Sequence, residues 1–183
     1  MGVTQYYTAT SLDGFIADAD NSLDWLFTRN QDPDGPLRYR DFLSEIGSLA
    51  MGSTTYEWIL AHEFAGKDPS EWKWPYEIPG WVFTHRQLPV VPGAPIELVS
   101  GDVAPVHERM VEAAGDRNRW IVGGGDRVGQ FADAGLLEQL IVWIAPVTLG
   151  GMAPLLPRRL ELRLEELARN GDFASARFSV VRA

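Results

Sequence analysis

The sequence predicts a single α/β domain over residues 1–183, in which a mostly parallel sheet is covered by helices on both faces. Along most of the chain, short apolar runs of strand character alternate with segments of helical spacing. Two of these runs end in glycine turns directly before a helical segment, at Gly52 and at Gly123. Towards the end, alternating leucines and charges precede Asn170-Gly171, a hairpin dipeptide that predicts antiparallel strands added to the parallel sheet.

The composition is that of a globular domain. With 183 residues, of which 45% are hydrophobic, the chain can bury a sizeable core. Its formal net charge of −9 argues against nucleic acid or an anionic membrane as a partner. The sequence contains no cysteine, begins without a signal-peptide pattern and has no apolar run near the ~20 residues of a membrane helix. We therefore expect a cytoplasmic protein without disulfides or thiolate metal sites.

The predicted strands are short, and most contain β-branched or aromatic residues. In chain order they cover residues 3–10, 15–17, 48–51, 81–83, 96–99, 120–122, 139–149, 159–167 and 173–181. The predicted helices cover residues 37–46, 56–60, 105–114 and 128–136, and Gly47 is expected to end the first of them. Pro146 lies inside the longest strand, which should therefore bend or run near an edge of the sheet.

The rest of the chain is organised around the stretch Ile121-Val122-Gly123-Gly124-Gly125-Asp126. It predicts a buried strand, a glycine turn and the start of a helix. Glycines let another molecule approach the backbone closely, and a helix start offers unpaired N–H groups and a positive dipole end. Together these features make a site for a phosphate or pyrophosphate. The alternative is a tight turn without a ligand.

A second strand, glycine and helix junction is formed by Gly52-Ser53-Thr54-Thr55. Ser53 or Thr54 is expected to cap the helix, with Glu57 completing a capping box, and a plain helix cap explains these hydroxyls fully. A third strand end carries Thr84-His85-Arg86. Because carboxyl ends of parallel strands share one edge of a sheet, a ligand with several phosphates is expected there, and a dinucleotide fits.

The basic residue of this edge, Arg86, is expected to bind a 2′-phosphate, which would select NADP over NAD. Otherwise Arg86 is an ordinary solvated side chain. The first strand lacks the GxGxxG spacing of a dinucleotide fingerprint, and the three histidines have no metal-ligand spacing, so no metal is predicted. Asp13 is a carboxylate in a turn between apolar segments, where bonding to its own backbone is the favoured role.

Several motifs resemble, in order, those of the dihydrofolate reductase superfamily. They are found at residues 8–17, 51–57, 122–125, 130–131 and 145–151. The closest branch is the reductase domain of the bifunctional riboflavin-biosynthesis deaminase-reductase and its stand-alone bacterial relatives. The match runs from the first strand to about Pro157. It is specific for the superfamily and not for a substrate.

This resemblance implies a three-layer dihydrofolate reductase-like fold and an NADPH-dependent reductase. The enzyme would transfer a hydride to a C=N or C=O group of a small pterin- or pyrimidine-like heterocycle. The implied cofactor-binding residues are Ala9, Ile16, Ala17, Gly52, Ser53, Thr54, Thr55, Thr84, His85, Arg86, Val122, Gly123, Gly124, Gly125 and Asp126. On the substrate side the resemblance implies Trp25 and Ala145, with a bound water or Asp13 as the proton donor. Relatives in the riboflavin branch also imply a homodimer built through the final third of the chain.

Two departures from the family pattern bear on the substrate and the cofactor. No motif aligns the carboxylate that binds pterins in dihydrofolate reductases, and Asp34 or Asp41 would have to replace it. Ser53 stands where family members often have arginine, so the preference for NADPH depends mainly on Arg86. Two other functions remain open. One is reduction of 5-amino-6-(5-phosphoribosylamino)uracil in riboflavin biosynthesis, with Arg38 and Arg40 available for its phosphate, and the other is nucleotide binding without catalysis.

Overall fold

The computed structural model describes residues 2–182, which form an eight-stranded sheet with helices on both faces. The main sheet has the strand order β5-β4-β3-β6-β1-β7-β10-β9, and a short pair, β2 and β8, lies apart from it. The strands are β1 (Thr4–Ser11), β2 (Phe15–Ala17), β3 (Ile46–Gly52), β4 (Gly80–Phe83), β5 (Ile96–Val99), β6 (Asn118–Gly123), β7 (Gln139–Ala145), β8 (Ala153–Pro154), β9 (Leu162–Asn170) and β10 (Phe173–Val180).

Helices follow the parallel strands in the way the spacing of apolar residues predicts. They are α1 (Asp24–Phe27), α2 (Tyr39–Ser44), α3 (Ser53–Phe64), α4 (Val103–Ala114) and α5 (Gly125–Asp133), with a single 3₁₀ turn at Pro69–Glu71. The α/β fold predicted from the sequence is therefore confirmed. Within residues 2–182, no helix combines the length and apolar character that crossing a lipid bilayer requires.

Six neighbouring strands, from β5 to β7, run parallel, with β1 at the centre between β6 and β7. One sheet face packs against α1, α2 and α3 through Trp25, Phe42 and Ile59. The other face packs against α4 and α5 through Met110 and Phe131. The carboxyl ends of β3 and β6, which pair directly, lead into α3 and α5, so the two glycine junctions meet at one edge of the sheet.

The chain ends in the antiparallel hairpin that Asn170-Gly171 predicts. Strand β10 pairs with β7 and β9 pairs with β10, and the two turn residues are Gly171 and Asp172. A register shift in the ladder, between Arg177 and Phe178, inserts one extra residue into β9. The hairpin extends the sheet beyond the reach of the helices.

Three local predictions are wrong, for reasons of packing, backbone hydrogen bonding and ion pairing respectively. Gly47 lies inside β3 rather than at a helix end. It is glycine because α4 packs closely against it, and a Cβ there would come within 2.7 Å of the Ala114 Cα. Strand β7 stops at Ala145, since the following Pro146 cannot donate to the ladder. Helix α3 begins after Gly52 without a side-chain cap, and Glu57 pairs with Arg86 instead of completing a capping box.

Candidate active site

A cavity of about 790 Å³ opens at the edge of the sheet where the two glycine junctions meet. It is lined by residues from β1, β2, β3, β4, β6, β7 and β8 and from α1, α2, α3 and α5. Most residues that the sequence assigns to cofactor binding lie in this lining. A second cavity, of about 300 Å³, lies beside Trp74 and Pro95 and contacts neither junction.

One side of the cavity, which we call the glycine half, is built from the starts of α3 and α5. Its lining residues are Gly52, Ser53, Thr54, Thr55, Phe83, Gly123, Gly124, Gly125, Asp126 and Arg127. No side chain caps either helix, so the first N–H groups of both remain open to a ligand. Two helix dipoles also point their positive ends at this space, which favours an anion.

The three consecutive glycines of this half have different reasons to be glycine. Gly123 has a φ of +152°, which side chains rarely adopt, and its peptide bond to Gly124 is cis. A Cβ on Gly125 would lie 2.2 Å from the Pro154 carbonyl oxygen. At Gly124 the φ is −79°, and a Cβ would meet nothing closer than Ile16 Cδ1 at 4.0 Å. Internal packing therefore explains why residue 125 is glycine, but it leaves open space over Gly124.

Arg127 is a basic residue of the glycine half that the sequence analysis missed. Its guanidinium carbon lies 4.2 Å from the centre of the Phe83 ring, and its Nη1 donates to the Gln130 side chain. Burial lowers the pKa of Arg127 from its ordinary value, but a guanidinium stays cationic near neutral pH. The signal in the sequence was its position in the first helical turn after the glycines, where an anion would sit.

Arg86 lies next to the start of α3 but not in the cavity lining. Its guanidinium donates to both carboxylate oxygens of Glu57, at 3.0 and 2.6 Å, and is 3.4 Å from Ser53 Oγ. The backbone leading to it is held by Thr84, whose Oγ1 accepts from the Arg86 N–H at 2.9 Å. Arg86 is thus placed at the rim of the glycine half, already paired with a carboxylate. Thr84 and His85 do not line the cavity.

Small apolar residues separate the glycine half from the opposite side of the cavity. Ala9 and Val122, near the carboxyl ends of β1 and β6, line it together with Ile16 and Ala17 of β2. The family resemblance gives three of these positions, Ala9, Ile16 and Ala17, to the nicotinamide ring. The residues predicted for the nicotinamide and for the phosphates are therefore brought into one space.

The opposite side, which we call the aromatic half, is lined mostly by rings and apolar side chains. Its lining residues are Tyr7, Leu23, Leu26, Phe27, Tyr39, Trp58, Ile59, His62, Glu63, Tyr76, Trp120 and Trp143. The Trp120 ring packs edge-on against Tyr39 and Tyr76, with centroids 5.9 and 5.6 Å apart. The Tyr39 and Tyr76 hydroxyls are hydrogen-bonded at 3.2 Å, and burial raises the pKa of both, so both are protonated at neutral pH.

A relative in Bacillus subtilis (strain 168) shows the family. The uncharacterized protein YwjB is 30% identical over 181 residues, which cover 92% of this chain and 92% of YwjB. The chain belongs to the YwjB family. No model of a known protein family matches the sequence.

Solved structures at lower identity show the fold of this chain. A protein from Shewanella sp. PV-4, provisionally assigned to riboflavin biosynthesis, has a TM-score of 0.80 at 24% identity, over 98% of this chain and 99% of that one. RibD of Acinetobacter baumannii has a TM-score of 0.72 at 15% identity, and the match covers 100% of this chain but 59% of RibD. Dihydrofolate reductase of Enterococcus faecalis, complexed with NADP(H), has a TM-score of 0.56 at 13% identity, and the match covers 98% of this chain and 96% of that one. The fold is therefore dihydrofolate reductase-like, close to the reductase domain of RibD.

Three further residues of this YwjB-family chain, those expected to donate the proton or to contact the substrate, also lie outside the cavity lining. Asp13 is exposed, and its carboxylate accepts from Ser11 Oγ at 2.6 Å and from the Leu149 and Gly150 N–H groups at 3.0 and 2.8 Å. These hydrogen bonds lower the pKa of Asp13 to about 2, so it is ionised at neutral pH and holds a loop rather than a transferable proton.

The two residues expected on the substrate side are replaced by close neighbours. Trp25 is buried in the core, where its Nε1 donates to the Ser22 carbonyl oxygen at 3.2 Å, and Phe27 of the same helix lines the cavity. Ala145 is fully buried, and Trp143, two residues earlier on the same face of β7, lines the cavity instead. Both segments of the chain that were expected on the substrate side therefore reach the cavity, but through other residues than those expected.

The charged residues between α1 and α2 form their own surface network. Arg38 donates to Asp34 at 2.8 Å and to Asp41 at 2.6 Å, and Arg40 approaches Asp34 at 3.3 Å. None of the four lines the cavity. Asp34 and Asp41 therefore do not replace the pterin-binding carboxylate, and the carboxylate that lines the aromatic half is Glu63 of α3.

Proposed function

We propose that the protein is an NADPH-dependent reductase that transfers a hydride to a C=N or C=O group of a small heterocycle. The observation that carries this proposal is the division of one cavity into two halves. Uncapped starts of α3 and α5 and the cation of Arg127 face the glycine half, and rings wall the aromatic half. A dinucleotide needs the first kind of surface and a planar substrate the second, with the reacting carbons between them.

The chain's own residues would act by binding, orientation and exclusion of water. The N–H groups after Gly52 and Gly124 would hold the pyrophosphate, while Ala9 and Val122 would let the nicotinamide ring approach closely. NADPH supplies the hydride when it is bound. The ionised Asp13 supplies no proton near neutral pH. We assign the proton transfer that completes reduction of the C=N or C=O group to a bound water.

A preference for NADPH over NADH is supported by the place of Arg86. Its guanidinium lies 3.4 Å from Ser53 Oγ, at the start of α3, where a 2′-phosphate bound beside the helix would meet it. The named complex of the Enterococcus faecalis dihydrofolate reductase with NADP(H) supports the same cofactor class. The Arg86 guanidinium is already paired with the Glu57 carboxylate. A 2′-phosphate would have to displace this carboxylate or share the guanidinium with it.

The other two functions receive less support from the cavity. Reduction of a phosphoribosylated pyrimidine would need a cation on the substrate side, but Arg38 and Arg40 point into ion pairs outside the lining. A protein that binds the nucleotide without turnover would not need a walled aromatic half next to the nicotinamide position.

Two measurements test the proposal. NADPH and NADH are titrated while the tryptophan fluorescence is followed, since Trp58, Trp120 and Trp143 all line the cavity. The loss of NADPH absorbance is then followed with a panel of pterins and pyrimidines. We expect saturable binding, tighter for NADPH, and turnover with at least one ring system. Binding without turnover across the panel would favour the non-catalytic protein, and no binding would contradict the proposal.

We also propose that the protein is a homodimer assembled through β9. This edge strand exposes Leu162, Leu164 and Leu167 by 39, 52 and 67%. The extra residue in β9 keeps all three leucines on one sheet face, beside Phe178 and Val180 of β10. Exposed apolar edge strands are usually covered, and a two-fold pairing would cover this one.

Light scattering after size exclusion tests the assembly. We expect twice the mass of one chain at micromolar concentration, and the mass of one chain for Leu164→Glu. Wild-type protein with the mass of a single chain would contradict the dimer.

A further inference from the structure

We propose that the aromatic half selects a planar heterocycle that carries no phosphate and no net negative charge. This inference rests on the proposed function, because it names the substrate class of the same cavity. It excludes the phosphoribosylated pyrimidine from the substrates.

The walls of the aromatic half are suited to a flat ring. The rings of His62, Trp58 and Phe27 lie nearly parallel to one another, with centroids 4.6 Å apart for His62 and Trp58, 5.3 Å for His62 and Phe27, and 6.2 Å for Phe27 and Trp58. Phe27 exposes 55% of its surface at this wall. On the opposite side, Trp120 packs edge-on against two tyrosine rings. Aromatic stacking rewards flat, polarisable ligands, and it supplies no hydrogen bonds for a phosphate.

The charge of this half is negative. Among the lining residues of the aromatic half, Glu63 is the one charged side chain when His62 is neutral. Among residues 2–182 the Glu63 carboxylate makes no ion pair, although the Lys67 ammonium donates to the Glu63 backbone carbonyl oxygen outside the lining. The raised pKa of Tyr76, caused mainly by burial, is also increased by the charge of Glu63, which places that charge near the lining.

The positive charge of the cavity is confined to the other half. Arg127 lies at the start of α5, in the glycine half. Glu63 is ten residues beyond Ser53 on α3, roughly 15 Å along the helix at ~1.5 Å per residue. Arg38 and Arg40 are already paired with Asp34 and Asp41 outside the lining. A substrate phosphate would therefore meet Glu63, and no Lys or Arg among the lining residues of the aromatic half would compensate it.

The experiment uses riboflavin and FMN, which share one ring system and differ by a phosphate. Both are titrated into the full-length protein saturated with NADP⁺, so that the glycine half is filled, and flavin fluorescence reports binding. The titrations are run at about pH 8, where an ordinary imidazole is neutral. We expect the affinity for riboflavin to be at least about fivefold higher than that for FMN, because the FMN phosphate and the Glu63 carboxylate carry like charges that repel.

Two charge-reversal variants show whether Glu63 causes the difference. Glu63→Lys should bring FMN affinity to or above that of riboflavin. Glu112→Lys makes the same change on the exposed face of α4, outside the cavity lining, and should leave the ratio of the two affinities unchanged. The second variant controls for the change in the net charge of the protein.

Three results would overturn the inference. They are equal or tighter binding of FMN by the wild type, no binding of riboflavin, and a ratio that does not move in Glu63→Lys. The NADP⁺ titration that precedes each experiment is read separately. Failure to bind NADP⁺ overturns the proposed function together with this inference, whereas a preference for FMN in the loaded protein overturns only the substrate class.

Discussion

The two halves of the cavity are built from different parts of the polypeptide. The glycine half is mainly backbone: two helix starts without side-chain caps and a run of glycines, all within two short stretches of sequence. The aromatic half is side chains from segments as far apart as Tyr7 and Trp143. Backbone N–H groups bind any suitably placed anion, so the first half is general. Ring packing and a single charge depend on side chains, so the second half can differ between relatives.

This division separates what determines the cofactor from what determines the substrate. Changes in the glycine half should affect every reaction of the protein alike, since all need the same cofactor. Changes in the aromatic half should alter which ring binds while the cofactor affinity stays the same. The variants below test that separation, beginning with the largest expected effect.

Gly124→Val should lower the affinity for NADPH by about a hundredfold or more, while the protein stays folded. The added side chain would fill the space where the cofactor backbone passes, and its Cβ would meet no protein atom closer than Ile16 Cδ1 at 4.0 Å. Circular dichroism reports the fold and fluorescence titration the binding.

Gly125→Val is the matched control, one residue along the chain. Its Cβ would lie 2.2 Å from the Pro154 carbonyl oxygen, so we expect a loss of stability, with overpacking typically costing about 1–3 kcal/mol. Undiminished NADPH binding by Gly124→Val would contradict the position of the cofactor. Unfolding of that variant would instead assign Gly124 to the turn.

Arg86→Ala should weaken NADPH binding by roughly 1.5–3 kcal/mol, the range for a hydrogen bond to a charged group, with little effect on NADH. Because the Arg86 side chain is 59% exposed and paired with Glu57, the lower end of that range is expected. Glu57→Gln sharpens the test, since freeing the guanidinium should strengthen NADPH binding a few-fold. Equal losses for NADPH and NADH in Arg86→Ala would show that Arg86 does not contact the 2′-phosphate.

Trp58→Leu should weaken riboflavin binding by about 0.5–1.5 kcal/mol, the contribution of an aromatic pair beyond its buried area. The same variant should leave NADPH affinity within twofold, because Trp58 belongs to the aromatic half. Parallel titrations of the two ligands measure both quantities. A larger loss for NADPH than for riboflavin would contradict the division of the cavity.

Asp13→Ala should lower stability in a pH-dependent way. The carboxyl pKa falls from its ordinary 3.8 to about 2 in the folded protein, because the carboxylate accepts hydrogen bonds from Ser11 and from the Leu149 and Gly150 N–H groups. The stabilisation is therefore full above about pH 4 and is lost as the pH falls towards 2. Urea midpoints of wild type and variant should differ near neutral pH and converge in acid.

Asp116→Ala, at an exposed turn residue, is the control for removing a surface charge. Turnover of Asp13→Ala separates the two roles considered for this residue. A loss of turnover far beyond the loss of folded protein would return Asp13 to the chemistry as a proton donor.

The fold and the glycine half were predictable because their signals are local. A strand, a glycine and a helix start are neighbours in sequence, and parallel strands carry such junctions to one edge of the sheet. Gly52, Ser53, Gly123 and Gly124 lie together in the cavity lining for that reason. Arg127 was missed although it stands two residues beyond Gly125, because no spacing rule assigns a role to a basic residue there.

The aromatic half was not predictable, because helical or strand periodicity does not decide which ring turns towards a cavity. Trp25 and Phe27 are two residues apart on α1, and packing buries the first and exposes the second. His62 and Glu63 fell outside the predicted helix, which ended at Leu60 whereas α3 continues to Phe64. That extension of a single turn carries both residues to the cavity.

A crystal structure of the protein with NADP⁺ tests the central claim most directly. We predict that the pyrophosphate lies on the first N–H groups of α3 and α5, with the nicotinamide ring between Ala9 and Val122 and its reactive face towards the aromatic half. A cofactor bound elsewhere, or a nicotinamide ring that faces away from Trp58 and Tyr39, would contradict the division of the cavity into a cofactor half and a substrate half.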